Sequence, residues 1–181
     1  AGLDEASRAR RLAFLDFGPE DAACLAELRA FAHDNVDAIV DDFYRYLMAF
    51  EETRDLLGSA EQIARLKTLQ RSYFLRMFDG SFDPSYFESR LRVGAAHARI
   101  DLRPEWYLGT YSLYVRLLTA RLRERYGPDR LLALLESFSK VVFLDMGLTI
   151  DAYIMSGYVD RVLAQEYRRM AEVAERALAE K

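Results

Sequence analysis

The chain of 181 residues is poor in the side chains that covalent staples and metal clusters need, with one cysteine and two histidines. Cys24 alone cannot close an intramolecular disulfide, so nothing calls for an oxidising compartment. One Cys and two His cannot complete the usual four-ligand zinc site within one chain. Glycine (nine) and proline (four) are scarce, which excludes collagen-like and low-complexity chains. The sequence has no Gly-rich phosphate loop, Cys-x-x-Cys, His-Glu-x-x-His or Gly-x-Ser-x-Gly, so it carries none of the corresponding nucleotide, redox or hydrolase signatures. The longest uncharged run, Trp106 to Val115, is far shorter than the roughly 20 apolar residues of a spanning helix. The opening stretch Ala1 to Arg11 lacks the apolar core of a signal peptide. A soluble, cytoplasmic chain with no membrane contact is expected. Positive charge is not in excess either: 25 Lys+Arg against 29 Asp+Glu leave a net −4, which argues against a nucleic-acid partner.

What remains is apolar and helical. The composition is 51% hydrophobic and 30% charged, and a chain of this size buries on the order of 70% of its unfolded surface, enough for a core and an internal ligand cavity. Each proline can open a helix, where its missing N–H costs nothing. After Pro19, apolar residues recur at Leu25, Leu28, Ala32, Val36, Ile39, Phe43, Leu47 and Phe50, a helical spacing. Ser59 with Gln62 resembles a capping box before the stripe Ile63, Leu66, Tyr73 and Met77, and Gly80 offers a left-handed cap. Pro84 opens a helix through His97, and Pro104 one with Tyr107, Tyr111, Tyr114 and Leu118 on one face, ended by Gly127-Pro128. Residues Asp4 to Phe17, with Leu12, Phe14 and Leu15, read as a short amphipathic helix laid across the body. No segment alternates apolar and polar residues between tight-turn signals, so the fold class is all-α.

From Asp129 the helical pattern runs nearly to the end, interrupted by Gly147 and Gly157. About fifty helical residues span ~75 Å, so the last part must leave the globule. There Leu163, Tyr167, Met170, Ala174 and Ala177 alternate steps of four and three, an incomplete coiled-coil seam that an amphipathic helix folded back on its own domain would also show. Phe138, Val141, Val142, Leu144, Leu148 and Ile150 lie on several sides of the preceding helix and fit burial on more than one face.

Candidates for chemistry are few. The paired carboxylates Asp41-Asp42 and Glu51-Glu52 point about 100° apart on a helix and read as solvated face. His33 stands among Asp34, Asn35 and Asp37 and reads as a surface residue. His97 stands among Gly94, Ala95, Ala96 and Ala98, small residues that would let a planar macrocycle approach the helix. On spacing alone His97 reads equally as a histidine favouring the helix dipole or satisfied in the core.

The stretch Gly94-x-x-His97-x-x-Ile100-x-Leu102-x-Pro104-x-Trp106-Tyr107-Leu108-Gly109 resembles the proximal-histidine motif of globin-coupled sensors, bacterial haem-based gas sensors related to protoglobins. The resemblance extends over nearly the whole chain. Arg11 to Leu15 is similar to the family's extra N-terminal helix, Phe43-Tyr44 to its distal tyrosine site, and Leu66-Lys67-x-x-Gln70-x-x-Tyr73-Phe74 to its distal helix. Asp101 departs from the usual glycine, but Asp tolerates a left-handed turn.

The resemblance implies a globin-like fold with an extra N-terminal helix and a long C-terminal helix. It implies haem b, with His97 as the axial metal ligand through its neutral ring. Tyr44 is implied to donate a hydrogen bond to bound O2, and Tyr107 to stand beside the proximal imidazole while also packing the core. Leu66 and Leu69 are expected to roof the pocket, with Phe43, Phe74, Met77, Phe78, Val93 and Ile100 as walls. The ligands implied are O2, CO and NO, and the organisation implied is a sensor domain over 1–157 with a linker over 158–181. That linker would lead to an output module such as a histidine kinase, diguanylate cyclase or chemotaxis transducer, the chain itself being regulatory rather than enzymatic. A homodimer through the helices after Pro104 and Pro128 is implied as well. The alternatives are a self-contained protoglobin-like O2 carrier or haem enzyme, for which Val159 to Lys181 would be superfluous, and a haem-free helical dimerisation module.

Overall fold

The computed structural model describes residues 4–179, and within them the chain is all-helical. The helices are α1 Glu5–Phe14, α2 Pro19–Leu47, α3 Glu51–Leu57, α4 Ala60–Arg76, α5 Pro84–Arg99, α6 Pro104–Leu122, α7 Pro128–Met155 and α8 Tyr158–Ala179. All four prolines take the first helical position. Side chains complete several starts: Asp4, Ser59 and Asp83 accept from the backbone N–H of Ser7, Gln62 and Tyr86 at 2.9, 3.2 and 2.8 Å. Asp21 accepts from the Gly18 N–H at 2.9 Å and, from α7, bonds to Ser137 at 2.8 Å and Lys140 at 3.0 Å, which fixes the start of α2 against α7.

Several boundaries differ from the expectation. The first long helix stops at Leu47 rather than continuing to Phe50, and α3 follows, because Thr53 Oγ1 donates to the carbonyls of Leu47 and Phe50 and closes a turn between them. After α4 the chain tightens, with Met77, Phe78 and Asp79 N–H groups each returning to the carbonyl three residues back. Gly80 then takes φ +68°, so its left-handed geometry lies beyond the helix end. α6 ends at Leu122, before Gly127. α7 passes through Gly147 without a break, and only Gly157, at φ +68°, separates α7 from α8.

α5 packs on α7 more extensively than any other helix pair, and α2 packs on α4, α6 and α7. The residues Tyr107, Tyr111, Tyr114 and Leu118 form the buried stripe of α6. On α7, Phe138, Val141, Val142, Leu144 and Leu148 are all buried within this chain, so they fill its own core and only Ile150 of that set is exposed. α1 rests on α7 through half-buried Leu12 and Leu15 and an ion pair between Arg11 and Asp151. Phe14 is 92% exposed, at the edge of a surface recess that it lines together with Leu15 and with Phe143 and Gly147 of α7. In α8, Leu163, Tyr167, Met170 and Ala174 are exposed. The side chain of Ala177, together with residues 1–3 and 180–181, lies outside the described residues.

Gly94 has a structural task different from the one expected. A Cβ there would lie 2.8 Å from the Ala152 Cβ and 3.0 Å from the Thr149 Cα, so its missing side chain admits α7 and not a macrocycle. Gly94→Ala is expected to lower stability by about 1–3 kcal/mol because the two backbones must separate. Gly109→Ala, at an exposed helical site with open space around it, is expected to raise it by roughly 0.5–1 kcal/mol. Urea unfolding of the two variants should move in opposite directions.

Candidate functional site

His97 lies in the last turn of α5. Burial lowers its pKa to about 4, so near pH 7 the ring is neutral and keeps a lone pair. Its Nδ1 is buried without a hydrogen-bond partner. The turn after it is built locally: the Leu102 N–H returns to the His97 carbonyl at 3.1 Å, Asp101 takes φ +52°, and Pro104 starts α6. This reversal brings the Tyr107 ring back across His97, with centroids 5.1 Å apart. The Tyr107 hydroxyl, however, is bonded elsewhere, to Thr149 at 2.7 Å, Tyr111 at 2.9 Å and Tyr73 at 3.1 Å.

Those bonds belong to a buried polar cluster. Asp145 on α7 accepts from Arg90 Nε at 3.0 Å, the Tyr86 hydroxyl at 2.6 Å and, more weakly, the Tyr111 hydroxyl at 3.5 Å. Arg90 also donates to the Tyr73 carbonyl at 3.0 Å, and its guanidinium lies 3.7 Å from the Tyr73 ring centroid. The Tyr73 and Tyr111 hydroxyls are 2.6 Å apart. Burial pushes the Asp145 carboxyl upward from its ordinary value, while the Arg90 charge and the Tyr86 hydroxyl pull it back toward the ionised form. Sequence reasoning missed Arg90 and Asp145, although both carry a signal. Each is a lone charge on an otherwise apolar helical stripe, Arg90 between Tyr86 and Gly94, Asp145 between Val141 and Leu148.

On the other side of the interior, Tyr44 is 5% exposed and burial raises its pKa to about 12, so it remains a protonated O–H donor. Ring contacts run without a gap from Tyr44 to His97: Tyr44 to Phe43 at 5.5 Å, Phe43 to Tyr114 at 4.8 Å, Tyr114 to Tyr111 at 6.1 Å, Tyr111 to Tyr107 at 5.4 Å, then His97. Phe74 packs on Tyr114 and on Phe78, and Met77 is fully buried beside them. A surface recess of about 470 Å³ opens on Tyr44, lined also by Asp41, Arg45, Met48, Ile63 and Lys67. Lys67 Nζ bonds to Asp41 there at 2.7 Å.

The structure thus gathers Phe43, Tyr44, Phe74, Met77, Phe78 and Tyr107 in one interior, with Leu66 and Val93 half-buried at its margin. It does not bring in Leu69, 57% exposed, because the buried stripe of α4 runs through Leu66, Gln70 and Phe74 and leaves Leu69 on the solvent side. Ile100, 51% exposed, lies past the end of α5 in the turn. His33 is exposed and takes no part. A neutral imidazole with an unpartnered buried nitrogen, set against the aromatic ring of Tyr107, fits a haem whose iron His97 would hold.

The buried ion pair yields a direct test. Asp145→Leu leaves the Arg90 charge buried alone and is expected to cost about 3–5 kcal/mol, whereas Arg90→Met combined with Asp145→Leu should recover most of that loss. Equal urea midpoints for the single and double variants would show that the pair is not the source of the cost.

Comparison with known proteins agrees with this geometry. The chain is 33% identical over 172 residues to the heme-based aerotactic transducer HemAT of Halobacterium salinarum, covering 89% of this chain and 35% of that protein. It therefore spans about a third of the length of that relative. The globin domain of a Geobacter sulfurreducens globin-coupled sensor superposes with a TM-score of 0.75 at 23% identity, over 80% of this chain and 96% of that one, a likeness of fold. The family model described as Protoglobin matches residues 4–158, and the chain accordingly belongs to the protoglobin family.

Proposed function

We propose that the chain is a haem-binding gas-sensor domain whose physiological ligand is O2 and whose response regulates an output module beyond α8. The observation that carries this reading is His97, a neutral imidazole with a buried nitrogen that no side chain satisfies. The family and the relative named as a heme-based transducer support it. Haem b bound here would supply an iron that takes up O2, CO or NO reversibly. His97 would hold that iron, and the adjacent Tyr107 ring, fixed by Thr149 and Tyr111, restrains how the imidazole can turn. Tyr44, kept protonated by its burial, would donate a hydrogen bond to a diatomic ligand with partial negative charge. Phe43 packs edge-on against the Tyr44 ring and fixes its place at the margin of the interior.

Residues 1–157 form the sensing unit in this reading, and 158–181 lead toward a kinase, cyclase or chemotaxis module in the cytoplasm. The exposed apolar residues of α8 favour this over a self-contained carrier. They also favour a homodimer. Because Leu148 is fully buried within the chain, the contact is assigned to the exposed residues Phe143, Ile150, Ile154 and Met155 of α7, continuing into Leu163 and Tyr167 of α8. Ile154→Glu with Met155→Glu would place like charges across a two-fold contact. Sedimentation is expected to show a dimer for the unsubstituted chain and a monomer for this variant, with the absorption spectrum unchanged.

The functional reading is tested by two further variants. The purified protein is expected to show a Soret band, and His97→Ala to lose it or to lose the ferrous signature of an axial histidine. Tyr44→Phe should speed O2 dissociation roughly 5- to 150-fold, the equivalent of about 1–3 kcal/mol for one hydrogen bond, and leave CO affinity within a few-fold. An unchanged spectrum in His97→Ala would remove that residue from the site, and equal O2 off-rates would remove Tyr44.

A further inference from the structure

α8 leaves the domain at Gly157, and every side chain described from 163 to 176 is exposed. Its hold on the body is confined to residues 158–162, where half-buried Val162 joins the contacts of the first turn. There Tyr158, only 7% exposed, packs edge-on against Tyr153, with ring centroids 5.0 Å apart, over the fully buried Ala98. Arg161 reaches back from the next position on that face. Its Nη2 donates to the Ala98 carbonyl at 3.1 Å and lies 3.6 Å from the Asp101 carboxylate, while its Nη1 donates to the Ser156 carbonyl at 2.8 Å. Tyr153 adds a bond from its hydroxyl to the Leu102 carbonyl at 2.7 Å.

Ala98, Asp101 and Leu102 are the end of α5 and the turn that directly follows His97. The final carbonyls of a helix lack partners in the helix itself and carry its negative dipole end, so they attract a guanidinium. The Leu102 N–H returns to the His97 carbonyl, which leaves the neighbouring Ala98 carbonyl to Arg161. The projecting helix is thus fastened to the residue next to the histidine and not to the far side of the domain.

The two parts of this fastening differ in kind. Tyr158 is buried and cannot leave without exposing its ring. Arg161 is 48% exposed and Asp101 is 74% exposed, so their contact is screened by water and exchanges readily. At Gly157 the backbone is left-handed and open space surrounds the position where a side chain would stand, so the direction of α8 is not fixed sterically there. A buried pivot, an exchangeable polar latch and an unobstructed hinge make an element with more than one accessible arrangement.

We propose that Arg161 is a latch through which the end of α5, next to His97, sets the direction of α8 about a pivot formed by Tyr158 on Ala98. A displacement of the α5 end carries the Ala98 carbonyl and Asp101 together, and Arg161 passes it to α8. The ligand dependence of this coupling rests on the gas-sensor reading; the mechanical link does not.

The test uses the full chain with Cys24→Ala and spin labels at Ala30→Cys on α2 and Arg169→Cys on α8, both exposed, diluted with unlabelled chain so that only the intramolecular distance is read. In the haem-loaded protein the label distance is expected to be narrowly distributed and to shift by roughly 2 Å or more on CO binding. Arg161→Met should broaden the distribution and abolish the shift while leaving the Soret band and CO affinity within about two-fold, since Arg161 touches no residue of the pocket. Arg161→Lys, with one donor group in reach of the Ala98 carbonyl, should restore part of the narrowing. A distribution and a CO-induced shift unaltered by Arg161→Met would overturn the latch and leave the sensor reading standing, and a distance indifferent to CO in the unsubstituted chain would overturn the coupling. Were the chain to take up no haem, the sensor reading would fail, and the width comparison on the haem-free protein would still decide whether Arg161 fixes α8.

Discussion

A carboxylate without access to water stays charged only if opposite charge and hydrogen bonds surround it, and much of this molecule is arranged so that Asp145 can. Its oxygens are shared among Arg90, Tyr86 and Tyr111. Arg90 in turn reaches the Tyr73 carbonyl on α4 and lies over the Tyr73 and Tyr86 rings. One buried charge pair therefore specifies the mutual positions of α4, α5, α6 and α7. Apolar packing alone would tolerate sliding of α5 along α7. Slippage here would leave two buried charges without partners, so register is held by the penalty for misplacement more than by the net strength of the pair.

That register has a consequence for the histidine. Arg90 and Gly94 are one turn apart on α5, the first anchored to Asp145 and the second admitting Thr149 and Ala152 at close range. His97 follows three residues after Gly94, on the same side of α5 and in its last turn, where it meets the Tyr107 ring of α6. Thr149 serves both ends of this arrangement, approaching Gly94 with its backbone and donating to the Tyr107 hydroxyl with its side chain. The position of the imidazole thus depends on α7, through the close approach at Gly94 and through the Tyr107 hydroxyl that Thr149 holds.

Legibility in the sequence followed the range of the interaction responsible. Helix starts were legible because proline and the cap at Ser59 act on their own next few residues. The stripes of α2 and α6 were legible because burial on one side imposes a helical period. The Thr53 turn before α3 involves a side chain reaching back six residues, which no periodicity reports. The smallness of Gly94 was visible, but which partner it admits depends on Ala152 and Thr149, more than fifty residues away. Ile100 carried a family position without a helical phase that buries it, and Leu69, three residues after Leu66, falls on the solvent side of α4. For α7, apolar residues on several sides could mean a thick intramolecular core or a second chain. Burial of Phe138, Val142 and Leu148 within this chain assigns them to the former.

The balance of satisfied and unsatisfied groups then marks where stability has been given up. Arg90, Asp145, Thr149 and the tyrosine hydroxyls around them are fully enclosed and bonded to one another. Among the described residues, the buried side-chain polar atom left without a partner is Nδ1 of His97, a few ångströms from a cluster rich in donors and acceptors. An unmet buried nitrogen costs about 1–3 kcal/mol, and the Tyr107 hydroxyl that could offset it is held by Thr149, Tyr111 and Tyr73 instead. The same network that rigidifies the interior therefore withholds a hydrogen bond from the imidazole. A ring left neutral, desolvated and only partly satisfied is destabilising for a core residue but well prepared for coordination, because little solvent or hydrogen bonding must be displaced before its lone pair is used.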